Sequence, residues 1–226
     1  MGVLFLLPGR SPMFPRRERV KPGPNGLVGI GGDLRPKTLI EAYSKGIFPW
    51  DGDQPIPWYS PDPRMILRPE DFRANRALRK LERQGRLEVA FDTRFADVMR
   101  ACAAVPREGQ DGTWITEGMV RSYGTLHERG IAHSVEVYED GALVGGLYGL
   151  ALGRMFFGES MFHTRRDASK LALWTLCERL RVRGFVAVDC QQETPHLASL
   201  GAAPIPRAEF LDLLAVHADS PDQWGA

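Results

Sequence analysis

Cysteine is scarce in this chain, and its positive and negative charges nearly cancel. The three cysteines, Cys102, Cys177 and Cys190, are an odd number with no close pair, which suits a reducing cytosol and excludes a cysteine-rich zinc site. The 29 basic and 28 acidic residues leave a net charge of +1. Because bulk charge is so small, any nucleic-acid site must be a local patch.

Long apolar runs are also missing. The run at residues 3–7 is too short for a signal peptide or a membrane span, and Pro8-Gly9 ends it. We therefore expect a cytoplasmic protein with no membrane segment. His127, His133, His163 and His217 show no metal-ligand spacing, so no metal site is predicted either.

The distribution of proline divides the chain. Most of the 17 prolines lie before residue 70, which predicts a small lobe, rich in Pro, Gly and aromatics, over residues 1–65. The 43% hydrophobic content of 226 residues is enough for one large core or two unequal ones. Residues 66–226 would then form the main domain.

Hydrophobic periodicity predicts alternating elements after residue 66, with a short helix at 38–45 before it. Strands are expected at 87–91, 133–138, 143–152, 155–162 and 185–191, with a hairpin turn at Glu139-Asp140-Gly141. Helices are expected at 74–84, 93–104, 117–129, 167–183, with Asp167 as the cap, and 209–216. This order predicts an α/β protein of the α+β type, with a mixed sheet flanked by helices.

Polar side chains close the apolar strand at 185–191. Asp189 and Gln191 lie two residues apart, so we expect them on one face of the strand. A carboxylate beside an amide can orient and partly deprotonate an incoming amine or hydroxyl. The alternative is a satisfied strand-end Asp within a capping network, just before the helix-starting pair Thr194-Pro195.

Glu159 interrupts an otherwise apolar strand, between Gly158 and Ser160. A carboxylate there is costly unless it is paired. It either forms an ion pair with Lys170 or an Arg, or it recognises a cationic group of a substrate. Cys190 beside Asp189 and before His196 suggests a cysteine hydrolase, but the alternation of a strand turns Cys190 away from Asp189.

A basic face is predicted on the helix at 74–84. Arg76, Arg79, Lys80 and Arg83 follow helical spacing, and either form a solvated face or contact phosphates. Four further bases flank them, Arg64, Arg68, Arg73 and Arg86.

Aromatic and glycine residues also leave two interpretations open. Trp50, Trp58 and Trp114 flank turns, where tryptophans either fill cores or stack on unpaired RNA bases. The glycine-rich segment 145–153 lacks the Lys-Ser/Thr end of a phosphate loop. Its glycines either bend a curved sheet or let a ligand approach the backbone.

Several separated motifs together resemble the leucyl/phenylalanyl-tRNA–protein transferase family, over about residues 14–214. They are Gly31-Gly32-Asp33-Leu34, Ala42-Tyr43, Gly46-Ile47-Phe48-Pro49-Trp50, Trp58-Tyr59-Ser60-Pro61-Asp62-Pro63-Arg64, Gly112-Thr113-Trp114-Ile115, His133-Ser134-Val135-Glu136-Val137, Gly145-Gly146-Leu147-Tyr148-Gly149, Phe157-Gly158-Glu159-Ser160-Met161-Phe162, Ala168-Ser169-Lys170 and Asp189-Cys190-Gln191. Their shared order and spacing make the resemblance specific.

The resemblance implies an activity and its substrates. The fold would be that of the N-acetyltransferases (GNAT-like), and the reaction would move Leu, Phe or Met from aminoacyl-tRNA to a protein N-terminus that begins with Arg or Lys. That transfer marks the acceptor for N-end-rule degradation. No cofactor is implied, because the donor ester is already activated, and a monomer is expected.

The resemblance also assigns residues. Asp189, acting through Gln191, would orient and deprotonate the amine, and Glu159 would lie at the active site. Trp50 and Trp114 would lie near the terminal adenosine, and the basic face would hold the acceptor arm. The aminoacyl pocket would be formed by matching apolar positions, Leu147, Phe156, Leu173, Leu176, Leu180 and Val188.

Some positions depart from the family pattern. Tyr59 replaces a usual Trp, Asp167 replaces a usual Asn, and Gln192-Glu193-Thr194 is unusual, which leaves acceptor selectivity open. Two other classes compete with the transferase. A coenzyme A-dependent N-acetyltransferase is disfavoured because residues 163–166, before the long helix, contain no glycine. A non-enzymatic tRNA-binding protein would bind tRNA without any transfer.

Overall fold

The N-terminal part of the chain forms a small sheet of four short strands. The computed structural model describes residues 3–11, 13–23, 25–106, 112–220 and 224–225. The elements are β1 (Leu4–Leu6), β2 (Leu27–Gly31), α1 (Pro36–Ser44), β3 (Phe48–Pro49) and β4 (Pro57–Tyr59). The strand order is β1-β2-β4-β3, with β1 parallel to β2 and the other pairs antiparallel.

The remaining strands form a seven-stranded sheet in the order β11-β5-β10-β9-β8-β7-β6. Only β9 and β10 pair in parallel among these described strands, so the mixed α/β class with a mixed sheet is confirmed. The elements are β5 (Arg64–Leu67), α2 (Arg76–Arg83), β6 (Leu87–Phe91), α3 (Phe95–Ala103), α4 (Glu117–Glu128), β7 (Ala132–Glu139), β8 (Ala142–Leu152), β9 (Met155–His163), α5 (Ala168–Val182), β10 (Ala187–Gln191), α6 (Pro195–Ser199), β11 (Ala203–Ile205) and α7 (Arg207–His217).

The local signals act as predicted at most element ends. Asp140 and Gly141 both adopt positive φ, 50° and 78°, as the two central residues of a tight β7–β8 hairpin turn do. Thr194 caps α6 by accepting a hydrogen bond from the Leu197 N–H. Asp167 precedes α5 as predicted, but its side chain makes no capping hydrogen bond to the helix. It has φ 66°, and its carboxylate accepts a hydrogen bond from the Lys170 Nζ at 2.7 Å instead.

The four short strands of the N-terminal part were not predicted from the sequence. Strands β1 to β4 were hidden because each has two to five residues, too few to display an alternating pattern beside prolines and glycines. The division at residue 65 stays a prediction. Strand β5 already belongs to the large sheet, and Tyr43 of α1 packs edge-on against Phe157 of β9, with ring centroids 5.3 Å apart.

Both faces of the large sheet are covered. One face packs on α3, α4, α1 and the small sheet, and the other packs on α5 and α2. The parallel ladder between β9 and β10 ends where Phe157 pairs with Asp189. Beyond that pair the two strands separate, and their last residues lie at an opening in the sheet. In the part of the chain that the structure describes, no helix has the length and apolar character needed to cross a membrane.

Candidate active site

A cavity of about 350 Å³ lies where β9 and β10 separate. Its walls come from both sheets and from α5, together with the segment after β10. The lining residues are Phe48, Pro49, Trp50, Trp114, Leu147, Tyr148, Phe156, Gly158, Glu159, Ser160, Met161, Leu173, Leu176, Val188, Cys190, Gln191, Gln192, Thr194 and Leu197. A mostly apolar cavity with a few convergent polar groups has the composition of a binding site.

Glu159 reaches the cavity through a β-bulge. Tyr148 of β8 pairs with Ser160, whereas Gly149 pairs with Gly158, so Glu159 is the extra residue of β9. A bulge re-aims a side chain out of the regular alternation. Gly158 permits the irregularity and is the sequence signal for it, since glycine inside a strand often marks a bulge.

The Glu159 carboxylate is held by neutral donors. Oε1 accepts hydrogen bonds from the Tyr43 hydroxyl and the Gln191 Nε2, both at 2.7 Å, and Oε2 accepts from the Tyr123 hydroxyl at 3.4 Å. The predicted alternative of an ion pair is wrong, because Lys170 pairs with Asp167 and no other cation of the described residues contacts this carboxylate.

Burial raises the pKa of Glu159 to about 7. The hydrogen bonds from Tyr43, Gln191 and Tyr123 lower this pKa, while the negative charge of Asp189 adds to the rise. The side chain is nevertheless partly exposed to the cavity. It can therefore exchange a proton with a bound group near neutral pH.

Asp189 does not line the cavity, which corrects its predicted contact with a substrate. Its side chain is fully buried, and its two oxygens accept from Nε and NH2 of Arg64 at 2.7 and 2.6 Å. The predicted side-chain relay is corrected as well. The backbone N–H of Gln191 donates to Asp189, whereas the Gln191 amide donates to Glu159. Asp189 therefore matches the alternative of a satisfied strand-end carboxylate.

The strand-end geometry explains why the two side chains serve different partners. Gln191 adopts φ 64°, and the pairing of β10 with β5 shifts register between Asp189 and Gln191. A regular strand would have kept both side chains on one face. Cys190 borders the cavity, and burial raises the pKa of its thiol. It stays protonated and is a poor nucleophile, so the cysteine-hydrolase interpretation fails.

Most predicted pocket residues do line one apolar wall of the cavity. Leu147, Phe156, Leu173, Leu176 and Val188 all border it. Leu180 does not, because it lies further along α5 and is fully buried in the core against the sheet. Sequence spacing placed Leu180 on the correct face of α5 but could not give the length of the cavity along that helix.

Trp50 and Trp114 are brought together at the cavity, and both are partly exposed. Trp50 packs edge-on against Tyr59 with centroids 5.7 Å apart, and the Trp114 carbonyl accepts from the Gly52 N–H. Trp58 differs, since its ring is fully buried and its Nε1 donates to the Gly31 carbonyl.

The predicted basic face is exposed on α2, and none of its four residues lines the cavity. Arg76, Arg79, Lys80 and Arg83 all project from the helix side opposite the buried Leu78 and Leu81. The predicted extension of this patch to Arg64 is wrong, because Arg64 is fully buried.

Several residues of the site were missed from the sequence, both in the cavity wall and behind Glu159. Tyr43 and Tyr123 hydrogen bond to each other at 2.6 Å as well as to Glu159, and Phe48, Met161 and Leu197 complete the walls. Tyr43, Phe48 and Met161 carried a signal, because each falls in a motif shared with the family, whereas Tyr123 and Leu197 carried none. The β8 glycines serve internal packing. A Cβ on Gly145 would lie 2.6 Å from the Ala168 Cβ, and one on Gly149 would lie 2.6 Å from a ring carbon of Phe156.

Comparison with known proteins gives close relatives over nearly the whole chain. The family described as leucyl/phenylalanyl-tRNA protein transferase matches residues 66–215, and its N-terminal domain matches residues 32–62. Proteins named leucyl/phenylalanyl-tRNA–protein transferase are 57% identical over 221 residues in Pseudomonas putida and 54% identical over 220 residues in Azotobacter vinelandii, each with 97% of both chains covered. A solved aminoglycoside acetyltransferase from a soil metagenome is 14% identical with a TM-score of 0.39, covering 50% of this chain and 83% of its own.

Proposed function

Since the chain belongs to the leucyl/phenylalanyl-tRNA–protein transferase family, we propose that it moves Leu, Phe or Met from tRNA to the N-terminal Arg or Lys of an acceptor protein. It would do so as a cytoplasmic monomer. The observation that carries the site assignment is Glu159, a carboxylate with no cationic partner among the described residues, at the polar end of an apolar cavity.

The reaction needs one bond to form and one to break. The acceptor amine attacks the ester carbonyl of the donor, a C–N bond forms, and the ribose oxygen of the tRNA leaves with a proton. A free α-amine has a pKa near ~8, so a neutral fraction exists at pH 7. Because the ester is already activated, alignment of the two substrates supplies much of the acceleration.

In this proposal Glu159 and Gln191 receive the amine. Gln191 uses its Nε2 on Glu159, so its Oε1 can accept from an N–H of the amine. Glu159, with a pKa of about 7, takes the amine proton as the C–N bond forms and passes it to the leaving oxygen. Asp189 acts as a positioning residue, because Arg64 and the Gln191 N–H fix the strand end through its carboxylate.

The apolar wall holds the donor side chain. Leu147, Phe156, Leu173, Leu176 and Val188 offer no hydrogen-bonding side-chain group, so polar and charged side chains would lose their solvation there. Size discrimination is soft, because one methylene is worth about 1–3 kcal/mol in such a pocket. This is consistent with a donor range of Leu, Phe and Met.

The tRNA would be held by stacking and by phosphate contacts. Trp50 and Trp114 offer aromatic faces to the unpaired terminal adenosine. Arg76, Arg79, Lys80 and Arg83 would neutralise phosphates of the acceptor arm. Removing one phosphate contact lowers the slope of log K against log salt by about 0.7–0.9.

That slope tests the basic face directly. Each Ala variant of the four bases is compared in filter binding with Arg121→Ala, which removes an exposed arginine from α4. We expect a lower slope for the α2 variants and an unchanged slope for the control. Four unchanged slopes would make the α2 face an ordinary solvated surface.

The activity is tested by mixing the protein with radiolabelled Leu-tRNA and a peptide that begins with Arg. Labelled peptide is expected, and none is expected when the N-terminus of the same peptide is acetylated. Binding of charged and uncharged tRNA without labelled peptide would instead indicate a tRNA-binding protein. Acetylation of the peptide from acetyl-CoA would indicate an N-acetyltransferase.

A further inference from the structure

Trp224, near the C-terminus, is packed into the core rather than left on the surface. Its side chain is buried, with 4% of its surface exposed. The ring stacks on His133 of β7, with centroids 4.0 Å apart and an interplanar angle of 21°. It also stacks on Phe156 of β9, at 5.7 Å and 24°, and it meets Phe91 of β6 edge-on at 6.0 Å. One residue close to the chain end thus contacts three strands of the large sheet.

Polar contacts fix the ring in this position. The Trp224 Nε1 donates to Oδ2 of Asp92 at 2.8 Å, and the Trp224 carbonyl accepts from NH2 of Arg179 at 3.0 Å. The Arg179 guanidinium also lies over the Trp224 ring, 4.7 Å from its centroid. A stacked aromatic with a bonded N–H and a cation over its face has little freedom to shift.

Phe156 connects this cluster to the cavity. Its ring borders the donor pocket, although it has no solvent exposure. The ring lies over Gly149 of β8, where any Cβ would collide with it, and Gly149 pairs with His133 across the sheet. Trp224 packs on this ring and is itself outside the set of lining residues. The position of the pocket wall at Phe156 therefore depends on a residue that contacts no donor.

We propose that Trp224 is a specificity-positioning residue, which supports Phe156 and so sets the size of the donor side chain that the pocket prefers. The proposal rests on the proposed transferase function. In the wild type, a supported Phe156 limits the pocket and favours the smaller Leu. Without Trp224 the Phe156 ring can move back into the vacated space, and the larger Phe donor gains relative to Leu.

The test measures kcat and KM of transfer for Leu-tRNA and Phe-tRNA to one Arg-starting peptide. For Trp224→Ala we expect the Phe-to-Leu ratio of kcat/KM to rise roughly tenfold, the effect of about one methylene of pocket size. Trp224→Phe keeps an aromatic ring against Phe156 and should hold the ratio near that of the wild type. Folding is checked by thermal denaturation of each variant.

A second variant reaches the same residue without changing it. Arg179→Met removes the hydrogen bond and the cation from Trp224, and its matched control is Arg181→Met, which removes an exposed arginine of the same helix that pairs with Glu178. The ratio should rise in the first and stay constant in the second, and this comparison decides the matter if Trp224→Ala fails to fold.

Two results would overturn the inference. One is an unchanged donor ratio in the folded Trp224→Ala and Arg179→Met variants. The other is an equal loss of both donors, which is the mark of a purely structural role. A wild-type protein that transfers neither amino acid would contradict the proposed function itself. The activity of the wild type is therefore measured before any variant is compared with it.

Discussion

Two carboxylates on neighbouring strands have opposite surroundings. Asp189 on β10 is fully buried and forms a two-pronged ion pair with Arg64, which also donates to the Gly46 carbonyl. Glu159 on β9 is partly exposed to the cavity and accepts only from hydroxyl and amide donors of the described residues. Both residues lie in motifs shared with one family. From the sequence, each was therefore an equally good candidate for the active site.

The difference distinguishes a buried, ion-paired carboxylate from one that lines the cavity without a cationic partner among the described residues. A buried charge with a bonded opposite charge is neutralised, and it has no capacity left for a substrate. A carboxylate held by neutral donors keeps its charge uncompensated, which is why burial can raise the pKa of Glu159 to about 7. Such perturbed groups in a cleft are candidates for chemistry. We therefore propose proton transfer as the role of Glu159 and support of the strand end as the role of Asp189.

Glu159→Gln should give the largest effect on turnover. The amide keeps an oxygen for the Tyr43 hydroxyl but cannot take a proton, so transfer should fall by roughly 10²–10⁴, with tRNA affinity nearly unchanged. Single-turnover transfer of labelled Leu measures the loss. Glu209→Gln, which alters an exposed carboxylate of α7, is the control. Near-normal turnover of Glu159→Gln would remove the proton-transfer role.

Breaking the ion pair should act on stability instead. Asp189→Leu or Arg64→Met leaves an uncompensated buried charge, which costs about 3–5 kcal/mol of unfolding free energy. The double variant removes both charges, and it should recover most of that loss in urea denaturation. If the single variants stay stable but lose turnover, Asp189 would be a catalytic residue. The contrast drawn between Asp189 and Glu159 would then be wrong.

Glu159 should also make stability depend on pH in a defined direction. Its pKa is raised from 4.5 to about 7 in the folded state, so its contribution is complete below pH 4.5 and is lost as the pH rises through 7. The unfolding free energy of the wild type, relative to Glu159→Gln, should fall by at most about 3 kcal/mol across that window. A flat difference between the two proteins would mean that Glu159 titrates normally.

The elements that sequence predicted best depend on local signals. The β7–β8 hairpin follows from Asp140-Gly141, and the strand at Leu87–Phe91 was predicted with its observed bounds. The apolar wall followed from the family resemblance, and helical spacing placed Leu173 and Leu176 on the sheet side of α5. These features need only neighbouring residues or a preserved motif.

The electrostatics of the site could not be predicted in the same way. Arg64 and Asp189 are 125 positions apart, and Tyr43 and Glu159 are 116 apart. No periodicity connects such residues, because their pairing is set by the sheet order and by two irregular strand positions. The rule that side chains two residues apart share a face failed at Gln191, whose φ of 64° breaks the alternation on which the rule depends.

The smallest expected effect comes from removing one of the hydrogen bonds that Glu159 accepts. Burial raises the pKa of Tyr43, which keeps its hydroxyl a neutral donor, and its 2.7 Å bond lowers the pKa of Glu159. Tyr43→Phe removes that bond, worth about 1 kcal/mol, so the pKa of Glu159 should rise further. The ascending limb of the pH profile of transfer should therefore shift to higher pH, by less than about one pH unit.

Tyr123→Phe is the matched variant for this last measurement. Its hydroxyl lies 3.4 Å from Glu159 rather than 2.7 Å, and hydrogen bonds weaken with length. We therefore expect a smaller displacement of the pH profile in the same direction, at an unchanged donor ratio. The two hydroxyls also hydrogen bond to each other. The relative size of the two displacements therefore shows which hydroxyl acts more strongly on Glu159. A larger shift for Tyr123→Phe, or a shift toward lower pH in either variant, would show that the proton is held elsewhere than on Glu159.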